Sequence, residues 1–143
     1  RDRLARKGAR RVVLDATIGR LRELGYVNDE AFARFWTETR QSQRPGSQRL
    51  RASELRWRGV GAEEIAEATS AISDDEAAYE AASRRLRPLR GLEYRRFRER
   101  LGGFLTRRGF SYDIARRTID RCWEETGEAG KSAEGEGAGP REA

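Results

Sequence analysis

Apolar residues recur along this 143-residue chain at the spacings that place them on one side of a helix, and no stretch alternates apolar and polar positions as a half-buried strand does. The expected class is therefore all-α. A first helix ends at Gly8. A second carries Val13, Leu14, Thr17, Ile18, Leu21 and Leu24 as one wide stripe and stops at Gly25. Asn28 or Asp29 offers a side-chain oxygen to the free N–H groups that open a third helix, with a predicted buried face of Phe32, Phe35 and Trp36. Arg44-Pro45-Gly46-Ser47 reads as a turn. A fourth helix runs to Arg58 and Gly59, and a fifth passes through Ile65, Ala68 and Ile72. Ser73 with Glu76 forms a capping box that starts a sixth, and Pro88, lacking a backbone N–H, ends it. The seventh uses Tyr94, Phe97, Leu101, Phe104 and Leu105 despite Gly102 and Gly103, which each cost about 1 kcal/mol relative to alanine in a helix. Ser111 begins the last, with Ile114, Ala115, Thr118, Ile119, Cys122 and Trp123 inward. Beyond Thr126 no large apolar residue follows, and residues 127–143 are expected to be disordered.

Aligning the glycines exposes a repeat. Leu4–Gly8 reads L-A-R-K-G, Leu55–Gly59 reads L-R-W-R-G and Leu105–Gly109 reads L-T-R-R-G. At equal offsets downstream lie Leu14, Ile65 and Ala115, then Thr17, Ala68 and Thr118, then Leu21, Ile72 and Cys122. Asn28-Asp29-Glu30-Ala31 likewise matches Asp74-Asp75-Glu76-Ala77. The period, about 50 residues, is a three-helix unit. The expected partition is 1–41 for a first repeat, 46–88 for a second and 91–126 for an incomplete third, which lacks a counterpart to the Phe32 and Trp36 helix. Each repeat's stripe is too small to be buried alone. The units are thus expected to stack into an elongated, right-angled helical array, its curvature left open.

Composition narrows the chemistry. There is no histidine and one cysteine, Cys122, so no internal disulfide, His-based metal site or catalytic triad is available. No pair of carboxylates has the apolar setting that general acid/base work requires. The expectations are no catalytic residues, no metal, no cofactor and no small-molecule substrate. No run of about 18 apolar residues and no signal peptide occur, which predicts a soluble cytoplasmic protein without membrane contact. The absence of methionine places the natural start upstream of Arg1.

Thirty basic residues face 24 acidic ones, and all the basic residues except Lys7 and Lys131 are arginine. Genomic base composition accounts for part of that bias. It does not account for the arrangement, which is +5 over residues 40–58, −7 over 59–83 and +8 over 84–108. Such blocks make faces with strong fields. Ten arginines, from Arg84 to Arg108, are answered only by Glu93 and Glu99. A solvated helix surface explains any one of them. As a set they suit phosphates or an acidic groove: Arg96, Arg100 and Arg107 share one helical stripe, and Arg108 and Arg116 extend the candidate interface. A second group comprises Arg40, Arg44, Arg49, Arg51, Arg56 and Arg58, which Glu63, Glu64, Glu67, Asp74, Asp75 and Glu76 can also offset internally. Trp57, between Arg56 and Arg58 and off the face marked by Leu55, is a candidate anchor for a partner or a base. The other aromatics, Phe32, Phe35, Trp36, Tyr94, Phe97, Phe104, Phe110 and Trp123, read as core, and Cys122 as a buried small hydrophobe.

The segments L21-R-E-L-G-Y-V-N-D-E-A-F-A33, E54-L-R-W-R-G-V60 and F104-L-T-R-R-G-F-S-Y-D-I114, with Arg40 and the turn at Gly46 between them, resemble the RecX family of bacterial recombination regulators over about residues 3–123. The resemblance implies tandem three-helix repeats. It also implies a non-enzymatic partner of RecA recombinase filaments on single-stranded DNA, one that restrains their ATP hydrolysis, strand exchange and co-protease activity. Direct contact with single-stranded DNA would be weak and non-specific. The pattern departs at Arg51, where the family places an apolar residue four before the leucine matching Leu55; this leaves the register of the helix through Leu50–Arg58 open. Most of the family's first helix precedes the chain. The alternative reading is a helical module that grips nucleic acid without reading sequence.

Overall fold

The computed structural model describes residues 28–136, together with residues 16, 17, 19 and 20. The predicted stripe members Val13, Leu14, Ile18, Leu21 and Leu24, like Gly8 and Gly25, lie outside the described residues. Thr17, assigned to that stripe, is exposed. From residue 28 onward the chain forms α1 (Asp29–Gln43), α2 (Gln48–Trp57), α3 (Ala62–Thr69), α4 (Asp74–Ser83), α5 (Tyr94–Arg107) and α6 (Tyr112–Glu136), with a 3₁₀ turn at Arg87–Leu89. No strand occurs among the described residues.

Helix starts follow the polar residues that precede them. Asn28 Oδ1 accepts from the Ala31 N–H at 2.7 Å, Ser73 Oγ from the Glu76 N–H at 3.4 Å, and Ser111 Oγ from the Ile114 N–H at 3.3 Å. Each satisfies a donor that the first helical turn leaves open. The ends of α2 and α5 are copies of one another. Gly59 and Gly109 adopt φ of 79° and 87°. In the first copy Gly59 N–H donates to Arg56 O and Val60 N–H to Leu55 O; in the second, Gly109 N–H donates to Thr106 O and Phe110 N–H to Leu105 O. This is the glycine-closed helix end that the L-x-x-R-G repeat encodes. At Gly109 space adds to the requirement, because a Cβ there would collide with Ser47 Oγ and come within 2.9 Å of Leu50 Cβ.

The described helices from residue 28 onward gather into two compact units, residues 28–40 with 51–71 and residues 41–50 with 72–136. In the first, Phe32, Ala33, Trp36, Leu55, Val60 and Ile65 form the core. In the second, the alanines of α4 (Ala77, Ala78, Ala81, Ala82) let the backbone approach the large side chains of α5, Phe97, Leu101, Phe104 and Leu105, while Ala115, Ile119 and Cys122 close the third side. Burial pushes the Cys122 thiol up from 9.0 to about 11, the charge of Glu125 adding to the effect. The Arg44–Ser47 turn is held inside the second unit. Gln41 both donates to Gly46 O and accepts from Gly46 N–H, each at 3.0 Å, and Ser47 N–H donates to Arg108 O at 3.1 Å.

Packing corrects several expectations. Phe35 is 43% exposed, because the buried stripe of α1 runs through Phe32, Ala33, Trp36 and Thr37 and residue 35 lies a quarter-turn to its side. Tyr94 is 39% exposed: its ring lies edge-on to Trp123, with centroids 5.1 Å apart, while its hydroxyl reaches Asp120 Oδ1 at 3.5 Å. Helix α3 ends at Thr69, leaving Ile72 to pack from a turn. Helix α4 ends at Ser83, ahead of Pro88, since nothing after Ala82 is buried until Leu89. Helix α6 continues to Glu136, ten residues past the boundary that composition placed at Thr126. Those residues are helical where irregular chain was expected, consistent with the helix-favouring Ala, Glu and Lys among them.

Candidate functional site

The predicted binding residues fall into two kinds once their neighbours are known. Around Trp36 the arginines are engaged. The Arg58 guanidinium carbon lies 3.8 Å from the indole centroid and that of Arg40 4.4 Å, a cation–π arrangement worth about 0.5–2 kcal/mol per pair depending on solvent access. The indole N–H donates to Glu54 Oε2 at 2.9 Å. The other oxygen of that carboxylate accepts from Arg51 Nη1 at 2.8 Å. Arg51 Nη2 donates to Arg40 O at 3.4 Å, and Arg58 Nη1 to Glu54 O at 3.4 Å.

Arg51 is 2% exposed. The register left open by the sequence is therefore the family-like one: Arg51 points inward at the position where an apolar side chain was expected, and Glu54 neutralises it. Two arginines assigned to the interface, Arg40 and Arg58, are half-buried parts of this assembly.

The second unit repeats the device in simpler form. Arg108 and Arg85 place their guanidinium carbons 4.8 and 4.7 Å from the Phe104 ring centroid, and Arg108 Nη1 donates to Pro45 O at 3.2 Å. Arg84 donates to the carbonyls of Ser42 and Gln43 at the end of α1, where the helix dipole favours a cation.

The remaining predicted residues face solvent. Arg49 and Arg56 on α2, Arg96, Arg100 and Arg107 on α5, and Arg116 on α6 are exposed, and among the described residues none has a hydrogen-bond or ion-pair partner for its guanidinium. Arg96, Arg100 and Arg107 lie on one stripe of α5, as their spacing requires. Trp57 is 88% exposed, a large apolar ring held in water beside Arg56. Sequence reasoning passed over Tyr112, 68% exposed, and Arg98, also exposed and unpaired. Tyr112 carried a signal in directly following the Ser111 cap, since the first residues of a helix bury little.

Comparison with known proteins bears on what these faces serve. A model of the second three-helix domain of RecX matches residues 28–68, and a model of the third three-helix domain matches residues 73–119. A Streptomyces lividans protein named Regulatory protein RecX is 35% identical over 130 residues, covering 89% of this chain and 69% of that protein. The chain belongs to the RecX family. Other RecX proteins are similar: that of Streptomyces coelicolor is 38% identical over 117 residues, covering 80% of this chain and 62% of its own length, and that of Thermus thermophilus is 36% identical over 125 residues, covering 78% and 81%. The crystal structure of RecX from Lactobacillus salivarius superposes with a TM-score of 0.57 at 21% identity over 72% of this chain and 69% of that one, and so shares the fold.

The two matched RecX domain spans start at Asn28 and Ser73, and the two hydrophobic clusters gather residues between Phe32 and Ile65 and between Ala77 and Cys122. No described helix of this RecX-family chain is long and apolar enough to cross a membrane.

Proposed function

We propose that this chain regulates a RecA-type recombinase by occupying its filament on single-stranded DNA, thereby inhibiting ATP hydrolysis, strand exchange and co-protease activity without chemistry or a cofactor of its own. The observation that carries the reading is the set of exposed, unpartnered arginines, Arg49, Arg56, Arg96, Arg100, Arg107 and Arg116, on a fold of the RecX family. Exposed guanidinium groups left without internal partners retain their capacity for bidentate contact with carboxylate or phosphate. Their spread over both domains supports contact with more than one protomer, which gains from effective concentration. Trp57 supplies an apolar anchor beside Arg56. The partners in this reading are a RecA filament in the cytoplasm and, weakly, single-stranded DNA; neither a membrane nor a small-molecule substrate has a role.

The test is RecA ATP hydrolysis on single-stranded DNA titrated with the protein. Inhibition should follow filament occupancy, fall on Trp57→Ala, and fall further when Arg96, Arg100 and Arg107 are changed together to Glu with helicity retained. Arg58→Glu is a poor probe, because the Trp36 assembly loses a member. No inhibition at several-fold excess over filament sites, with binding to bare DNA kept, favours the second reading, a sequence-independent nucleic-acid-binding module. For five phosphate contacts that module's log affinity would fall against log salt with a slope of about −3 to −4.

A further inference from the structure

An open groove of ≈ 990 Å³ runs between α5 and the start of α6, bordered by Tyr94, Arg98, Gly102, Gly103, Tyr112 and Arg116. Two successive glycines in the middle of α5 weaken that helix, yet packing within the chain requires neither. A Cβ at Gly102 would meet Ile119 Cδ1 at 3.6 Å, an ordinary contact, and one at Gly103 would meet only the flexible end of Arg107 at 3.4 Å. Neither has a positive φ. A floor without side chains lets another backbone come close. The rim is cationic: Arg98 and Arg116 are exposed and without a partner among the described residues. The acids of the lining are already engaged, Glu99 with Arg95 at 3.5 Å and Asp120 with the Tyr94 hydroxyl at 3.5 Å.

The first unit carries a helix of complementary shape and charge. Helix α3 turns Glu63 and Glu67, one turn apart, to solvent with Ala62 and Ala66 beside them. Glu63 has no partner among the described residues. Glu67 meets Arg34 only at 3.9 Å, and that guanidinium lies closer to Glu30, at 3.1 Å. The repeat sharpens the contrast. At an offset of 50 residues, Ala62 and Ala66 stand where Tyr112 and Arg116 do, and Ala52 and Ser53 where Gly102 and Gly103 do. One unit therefore has a slim acidic helix at the place where the other has the wall of a cationic groove.

We propose that the groove takes helix α3 of a second copy of this chain, with Ala62 and Ala66 over Gly102 and Gly103 and with Glu63 and Glu67 meeting Arg98 and Arg116. Short side chains on the contact face allow the close helix-to-helix distance that the glycines permit, and the carboxylate–guanidinium pairs fix the register. Insert and groove are different surfaces, so the contact is heterologous, and two copies joined once still carry one free surface of each kind. A single short helix buries less than about 1,200 Å² in total, the class of transient contacts. Self-association of this kind is therefore weak, concentration-dependent and sensitive to salt. The inference needs neither recombinase nor DNA.

The experiment is sedimentation velocity of the full chain from about 5 to about 300 μM, the range suited to a transient contact, with thermal melting in parallel. The parent should associate as concentration rises, and raising NaCl from about 50 to about 500 mM should weaken the association about tenfold or more. Glu63→Gln with Glu67→Gln disables the insert. Gly103→Leu fills the groove and improves the helix, so its melting temperature should rise. Each variant alone should stay monomeric. Mixed in equal amounts, they should form a complex of two chains and nothing larger, because each supplies the surface that the other lacks. Association through one shared surface would not be restored by mixing. The proposal is overturned if the parent stays monomeric throughout, if either variant associates like the parent, or if the mixture stays monomeric. A monomeric parent whose Gly103→Leu variant binds RecA filaments less tightly would give the groove to the recombinase and overturn the inference equally. RecA ATP hydrolysis run alongside keeps the two readings apart: absence of inhibition by the parent counts against the regulator alone, and absence of self-association counts against the second copy alone.

Discussion

Arg51 donates to Glu54 at 2.8 Å from a site where it is almost wholly enclosed, and the pair occupies the positions that Leu101 and Phe104 fill 50 residues later. One repeat thus solves the same packing problem in two ways. Where the second unit uses leucine and phenylalanine against small alanines of α4, the first uses an ion pair against the large indole of Trp36, whose N–H takes the other carboxylate oxygen. Removing either charge has unequal consequences. Glu54→Ala leaves Arg51 charged and enclosed, and should cost about 3 kcal/mol. Arg51→Leu copies the second unit and leaves Glu54 with its indole donor, at a cost below about 1 kcal/mol. Chemical denaturation of the two variants checks the difference, and equal losses would show that the pair does not act as described.

Two of the left-handed glycines, Gly91 and Gly109, separate backbone strain from crowding. Gly91 has φ of 82° and open space where a Cβ would go, so Gly91→Ala should cost about 1 kcal/mol for the conformation alone. Gly109→Ala carries the same strain and must also displace Ser47 and Leu50, for a total of about 2–4 kcal/mol. Melting temperatures of the two variants should rank in that order.

Cys122 gives a pH signature. Its thiol is held up to about 11 in the folded chain against an ordinary 9.0, so the unfolded chain loses that proton first. The folded state is at full advantage below pH 9 and loses stability as pH rises from 9 towards 11. Cys122→Ala should abolish that decline, apart from what Tyr79 contributes, its hydroxyl being likewise held up by its hydrogen bond to Glu125. In the native protein at pH 8 a maleimide should label the thiol slowly, because it is buried and protonated. Labelling as fast as in denaturant would contradict the burial.

Truncation after Thr126 tests the role of the last helix's extension. Cys122 and Trp123 are the final residues in contact with the core, and Thr126 caps the packed part by donating to Cys122 O at 2.6 Å. The shortened chain should unfold cooperatively, with a melting temperature within a few degrees of the parent. A broad transition would assign the removed residues, 127–143, a part in the fold.

The all-α class, most helix starts and the period of about 50 residues were legible in the sequence, because they rest on local chemistry. A serine or asparagine three residues before an unsatisfied N–H and a glycine that alone accepts a positive φ act within one turn of chain. The exposure of Trp57 was legible for the same reason, as its position relative to Leu55 settles its direction on an isolated helix. What sequence could not supply was which stripes share a core, since a period does not say which helices meet: packing joins Phe32 and Trp36 with Leu55 and Ile65, and the alanines of α4 with Phe97 and Ile119. Tertiary packing likewise sorted the arginines. A charged residue at a core position looks the same in sequence as one in water until a carboxylate is brought to meet it. Arg51, Arg40 and Arg58 were drawn inward by Glu54 and Trp36, while Arg96, Arg100, Arg107 and Arg116 had no such neighbour and stayed at the surface.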